Sequence, residues 1–157
     1  LLVSVLVAAG AFGFALVAPQ QAEAYTSTTL LAENAEGEFV ASDFPSVLTE
    51  ETDDAVALRV ENHERGPTEY AVVVELQRVD TSGESATVTA SEELARRQRT
   101  VSAGDSWRVS PAMTPTMSGE DLRLTYLVYQ GTPPANPDAE DAYRRLFLWV
   151  DVPEAAS

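Results

Sequence analysis

The chain has 157 residues, enough for one domain with or without an anchor, but not for two full domains. It carries 25 acids against 10 bases, every base an Arg, for a formal net charge of -15, with no Cys and a single His. A disulfide framework, a thiol nucleophile and a Cys-ligated zinc site are excluded. A nucleic-acid binder lacks the basic surface that phosphate contacts need, and a Ser-His-Asp enzyme would have only His63 to use.

The acid excess also points to an environment. Like charges at this density repel one another and weaken the compact state in dilute buffer. Molar salt shortens the Debye length to about 3 Å, which screens the repulsion and leaves the carboxylates to hydrate the surface. Replacement of Lys by Arg throughout agrees with a salt-loving microbial source, and a GC-rich genome gives the same bias without salt.

The first ionised group is Glu23, and Leu1 to Ala18 reads LLVSVLVAAGAFGFALVA. Eighteen apolar residues span a bilayer core of about 30 Å as a helix. Gly10 and Gly13 are tolerated there because the backbone hydrogen bonds stay internal, and Pro19 marks an exit. Residues 1–24 are therefore expected to form a transmembrane helix with a short exit linker, tethering the chain to the lipid bilayer. A secretory signal peptide is the competing reading, since Ala22-Glu23-Ala24 fits a small-x-small cleavage pattern with Tyr25 as the new terminus. Either way, residues 25–153 lie outside the cytoplasm, with 154–157 as a tail. A buried apolar helix of a soluble protein is the third reading.

From Tyr25 onward the period is two. Val56, Leu58 and Val60 alternate with Ala57, Arg59 and Glu61, and Tyr70, Val72, Val74 and Leu76 with Ala71, Val73, Glu75 and Gln77. Leu122, Leu124, Tyr126 and Val128 alternate with Arg123, Thr125, Leu127 and Tyr129; Leu146, Leu148, Val150 and Val152 with Phe147, Trp149 and Asp151. Weaker strands are expected at 27–32, 86–90, 94–100 and 107–110. Turn chemistry recurs at Glu64-Arg65-Gly66-Pro67, Asp80-Thr81-Ser82-Gly83, Ala103-Gly104-Asp105 and Ser118-Gly119-Glu120-Asp121. Short strands at this spacing, without amphipathic crossover helices, predict an all-β fold, an antiparallel β-sandwich of the immunoglobulin-like kind. One stretch breaks the rhythm. Gly131 to Asp138 is a Pro-rich loop, and Ala139 to Arg145 is expected to make about two helical turns. Asn136 or Asp138 would cap it, with Glu140 and Asp141 at its start and Arg144 and Arg145 at its end, the order the helix dipole favours.

Candidate chemistry is sparse. His63 could serve as a pH switch or a metal ligand, but only carboxylates could join it, and a turn residue bonded to local backbone is the better account of it. Eight carboxylates lie between Glu33 and Asp54 with no base among them, densest at Glu50, Glu51, Asp53 and Asp54. Oxygen ligands of this kind suit Ca²⁺ or Mg²⁺, yet the spacing is not that of an EF-hand, and a solvated salt-adapted loop explains them. A carboxylate-pair hydrolase is conceivable, but with 25 acids some pair falls at any chosen distance. Arg96, Arg97 and Arg99 form the basic run, Arg97 and Arg99 on one strand face and Arg96 on the other, suited to an acidic partner or to neighbouring acids. No residue is assigned as catalytic, cofactor-binding or metal-ligating, and no cofactor is implied.

Several stretches together resemble an archaeal membrane-protein family of unknown function, the domain-of-unknown-function family 1616. They are Pro19-Gln20-Gln21 into Tyr25-Thr26, Leu30 to Asn34, Asp43-Phe44-Pro45, Asn62-His63-Glu64 with Glu61, and Tyr70 to Gln77. The C-terminal ones are Leu122 to Tyr129, Ala142-Tyr143-Arg144 and Leu148 to Val152. Phe44 stands where Tyr is expected before the Pro. The resemblance implies that Leu1 to Ala18 is the last of several membrane helices, followed by an extracytoplasmic domain, in a haloarchaeal protein. It supplies no active residues. The expected role is structural or interactive at the cell envelope, with an envelope protein or surface glycan as partner and no enzymatic activity. A sensory or accessory domain of a larger membrane protein such as a transporter is the alternative, and a hydrolase the third.

Overall fold

The computed structural model describes residues 24–49, 55–135, 137 and 140–154. Eight strands run through them: β1 (Tyr25–Glu33), β2 (Phe39–Val40), β3 (Val56–His63), β4 (Thr68–Asp80), β5 (Thr87–Val101), β6 (Ser106–Val109), β7 (Gly119–Gln130) and β8 (Arg144–Val152). They form two antiparallel sheets, ordered β2-β1-β3-β6 and β5-β4-β7-β8. The chain crosses between sheets at β3–β4, β5–β6 and β6–β7. The proposed N-terminal membrane helix lies outside the described residues; within them, no helix is long and apolar enough to cross a membrane.

The alternation read from the sequence sets the core. Leu30, Val56, Leu58, Val60, Trp107 and Val109 from the first sheet meet Tyr70, Val72, Val74, Leu76, Leu122, Leu124, Tyr126 and Val128 from the second. Residues i and i+2 share one sheet face, so a single apolar set per strand suffices to glue two layers. β4 and β7 go further. Ala71, Val73, Leu127 and Tyr129 make a second apolar cluster on the opposite, outer face of their sheet, joined by Ala142. Both central strands are therefore covered on both faces, as their runs of buried residues show.

Several expectations are corrected. The separate weak strands at 86–90 and 94–100 are one strand, β5, which carries 15 residues against the 13 of β4. The difference is absorbed by two irregularities, where Val74 and Glu75 face Ala95 and Glu93, and Arg78 and Val79 face Ala90 and Val88. Bulges of this kind bend and protect an exposed edge strand. Ser118 to Asp121 is not a free turn but the bulged start of β7, where the register slips between Gly119 and Leu122. Turn-type residues fit because a bulge also needs positive φ, here +143° at Gly119 and +56° at Asp121. A Cβ on Gly119 would sit 3.1 Å from the Arg78 guanidinium, which donates to the Ser118 carbonyl.

The two helical turns expected over 139–145 are absent from the described part of that segment. Glu140 and Asp141 form a turn, the Tyr143 amide already donates to the Val128 carbonyl at 2.7 Å, and Arg144 and Arg145 pair with Val128 and Leu127 as β8. A two-turn helix gains few hydrogen bonds for its nucleation cost, whereas the adjacent sheet edge satisfies the same backbone at once. Asn136, Asp138 and Ala139 lie outside the described residues.

Candidate functional site

The outer face of the β5-β4-β7-β8 sheet is built by the residues that alternate with the core. One row across it reads Ser91, Gln77, Arg123, Trp149, and the next Glu93, Glu75, Thr125, Phe147. A third row places Arg96 and Arg145 at its two ends, with Val73 and Leu127 between them. Polar side chains here are covered by their long neighbours: Glu75, Gln77, Arg123 and Thr125 are all buried. Burying such groups is tolerable only if they are hydrogen-bonded, and Gln77 is the hub that does it. Its Oε1 accepts from Arg123 Nε at 2.8 Å and from the Thr125 hydroxyl at 3.0 Å, while its Nε2 donates to Glu75 at 3.2 Å.

Beside this network, β8 presents two large rings to solvent. Phe147 is 40% exposed and Trp149 46%. They meet edge to face, 5.9 Å apart at 80°. The Arg123 and Arg145 guanidinium carbons lie 5.5 and 5.7 Å from the centre of the Phe147 ring, within cation–π range. Burial lowers the Arg123 pKa, and the positive charge of Arg145 lowers it further. What this arrangement offers is recognition: flat aromatic surface, guanidinium forks and a fixed hydrogen-bonding plane, the residue types that carry binding energy at interfaces.

The end of the sandwich where the described chain begins holds a second polar cluster. The Thr26 hydroxyl lies 2.7 Å from Tyr70 Oη and 2.8 Å from Glu64, Gln130 Nε2 donates to Glu64 at 3.1 Å, and the Thr26 amide donates to Tyr143 Oη at 3.2 Å. Burial raises the Tyr70 pKa in spite of its hydrogen bonds to Thr26 and Thr68. Fully buried Asn62 donates to the carbonyls of Gly66 at 3.0 Å and Val101 at 2.7 Å, and accepts from the Glu64 amide at 2.7 Å. These contacts tie the β3–β4 turn to both sheets, and every group in them is used structurally.

The sequence candidates fall apart in space. His63 is exposed at the end of β3, stacked on Tyr25 at 4.7 Å and 3.2 Å from Glu61. Glu61 also forms an ion pair with Arg59, whose Nε is 2.9 Å away. Arg96 lies on the outer face and grips Glu93 through two hydrogen bonds, 2.8 and 3.1 Å, which raise its pKa. Arg97 and Arg99 pair across from Val72 and Tyr70 on the other face, so the basic run is split between two surfaces as its alternation requires. Glu50, Glu51, Asp53 and Asp54 lie outside the described residues. Phe147 and Trp149 were visible in the sequence only as partners in the β8 alternation. Their signal was aromatic rings at positions that the pattern assigns to solvent.

A family model matches residues 19–151, which takes in the whole of both sheets but the last residue of β8. The chain belongs to the family described as Domain of unknown function (DUF1616). The DUF1616 match includes Gln77, Arg123, Arg145, Phe147 and Trp149, so the outer face lies within the family's own domain rather than on an added extension. No curated protein matches the chain.

Proposed function

We propose that this DUF1616 domain is a non-catalytic, membrane-anchored interaction module on the outer side of the cell membrane, contacting another component of a halophile's envelope. The observation that carries this reading is the outer face of the second sheet. Two large rings on one strand, Phe147 and Trp149, stand side by side in solvent, beside Arg123 and Arg145. Contiguous exposed aromatic surface rimmed by polar groups is typical of contact sites. The strand order supports an immunoglobulin-like sandwich: β1-β3-β6 stands where strands A-B-E stand in that fold, and β5-β4-β7-β8 where C′-C-F-G stand. The uncharged stretch Leu1 to Ala18 supports the anchor, and the acid excess supports a saline exterior.

The chain has no Cys, so one introduced thiol reports location without background. Ser102→Cys places it in the exposed β5–β6 turn. A membrane-impermeant maleimide is expected to label this variant in intact cells, and the protein to sediment with membranes through a high-salt wash and leave them in detergent. Labelling only after lysis, or recovery in the soluble fraction, overturns the anchored outward-facing arrangement. Binding is read separately: envelope fragments should co-sediment with the detergent-solubilised full chain and much less with its Trp149→Ala variant.

A further inference from the structure

Arg123 is only 8% exposed, and among the described residues no carboxylate lies within ion-pair distance of it. Its Nε is held by Gln77, and its terminal nitrogens make no hydrogen bond to the described residues. A buried charge without a counter-charge is strongly unfavourable. Arg145 adds a second positive charge across the Phe147 ring. The three rows of this face hold Arg96, Arg123 and Arg145 against Glu75 and Glu93, and Glu93 is already taken by Arg96. A chain with a net charge of -15 thus keeps more guanidinium than carboxylate across these three rows, where Phe147 and Trp149 are exposed, while Asp121 and Asp151 follow beyond Trp149 and bound the cationic part at that end.

We propose that this face binds a carboxylate-bearing sugar of an acidic polysaccharide. The apolar C–H side of one sugar ring stacks on the Trp149 indole, a carboxylate of the polymer accepts hydrogen bonds from the exposed Arg145 guanidinium, and Arg123 on the other side of Phe147 adds positive charge to the face. Gln77 and Thr125 hold the plane from which Arg123 reaches out. The shape agrees, because the exposed β8 side of this face, where Arg145, Phe147 and Trp149 stand in line, admits an extended polymer along the strand, whereas a compact metabolite is bound by being enclosed. Guanidinium forks match carboxylates in two-point geometry.

Local charge argues against a second copy packed face to face, since two surfaces that each carry Arg96, Arg123 and Arg145 would repel. A lipid surface is disfavoured by position. Trp149 lies six residues beyond Tyr143, which immediately precedes β8, roughly 20 Å at strand rise, and the Tyr143 hydroxyl accepts from the Thr26 amide at the end of the sandwich where the anchor would enter. This site rests on the interaction reading above and specifies its ligand.

The test uses the full chain in nonionic detergent, with a defined oligogalacturonate as probe, a malto-oligosaccharide as uncharged control and short-chain phosphatidylglycerol as the lipid arm. Titration calorimetry and tryptophan fluorescence read binding. Oligogalacturonate is expected to bind, and the malto-oligosaccharide to bind much more weakly. Arg145→Gln and Trp149→Ala, both at exposed positions, should each weaken the oligogalacturonate by about tenfold or more, the loss of one charge-assisted contact or one stacking ring. Trp149→Phe should keep most of the affinity while losing the fluorescence change. Unaltered circular dichroism of the variants confirms that the fold is kept. Equal binding of the uncharged control, indifference to both variants, or response to phosphatidylglycerol alone overturns the proposal. If envelope fragments still co-sediment with the chain, are lost with Trp149→Ala, and oligogalacturonate does not bind, the sugar assignment falls and the interaction module stands. If fragments bind the variant equally well, the interaction face itself falls.

Discussion

Tyr70 and Tyr126 are both fully buried core residues of the same sheet, on neighbouring strands, yet their hydroxyls meet opposite fates. Tyr70 Oη lies 2.7 Å from the Thr26 hydroxyl, while Tyr126 Oη has no hydrogen-bond partner among the described residues. Burial pushes the Tyr126 pKa well above its ordinary value, so the phenol stays neutral and what remains is an unmade hydrogen bond in the core. Such a group costs about 1–3 kcal/mol. Tyr126→Phe removes the orphan and little else, and is expected to stabilise the fold by about 1 kcal/mol. Tyr70→Phe removes half of a satisfied pair and is expected to destabilise it by a similar amount. Denaturant melts of the two variants should move in opposite directions, and a shared direction would show that the hydroxyls, not the rings, have been misjudged.

At the scale of elements, what was legible followed from periodicity. The faces of β3, β4, β7 and β8 could be read from i, i+2 spacing because two sheets need one apolar stripe per strand. Bulges and straps could not, because they are decided by contacts between residues far apart in sequence. Residues 111–118 show this. They form no regular element, and yet they are held against the edge strand β5 by one carboxylate. Glu92 accepts from the Thr116 amide at 2.9 Å and the Met117 amide at 3.1 Å, and from the Thr116 hydroxyl. The aromatic face escaped for a related reason: alternation names Phe147 and Trp149 as outward, but only the register across four strands sets them beside Arg123 and Gln77. The Glu92 clasp has a pH signature. Partial burial works against its ionisation, but the Thr116 hydroxyl and the two amides outweigh this and hold its pKa below the ordinary 4.5. A depressed carboxyl pKa contributes stability above the unfolded value and loses it as pH falls through the folded one. Glu92→Gln is expected to lower stability at neutral pH by about 1 kcal/mol or less, since the site is only partly buried. The gap between variant and parent should narrow as pH falls below the ordinary carboxyl range and close once pH is below the depressed folded-state pKa. Melts at several pH values check this; a gap that persists in acid would assign the loss to shape rather than charge.

The whole molecule is governed by its charge. Ten bases can neutralise at most ten of the 25 acids, which leaves fifteen carboxylates that no rearrangement can pair. Salt acts on this surface in two opposing ways. It weakens exposed pairs such as Arg59–Glu61 and Arg96–Glu93, each worth about 0.2–1 kcal/mol. It also screens the repulsion among the excess acids, whose range shrinks from about 10 Å at 0.1 M to about 3 Å at 1 M. With few pairs to lose among the described residues and an excess of fifteen like charges to screen, the second effect dominates, and the fold should be steadier in brine. Thermal melts of the full chain in nonionic detergent are expected to show a midpoint several degrees higher in molar NaCl than at about 0.1 M, roughly 4 °C for each kcal/mol of repulsion removed. Screening also fixes the shape of the response. Most of the gain should arrive below about 1 M and be the same for NaCl and KCl, whereas strengthening of apolar burial would keep growing at higher concentration and be larger for sulfate. A midpoint that does not move between the two salt levels would mean that the carboxylates are spaced widely enough for water alone to screen them, and the acid excess would then say nothing about the solvent in which this domain works.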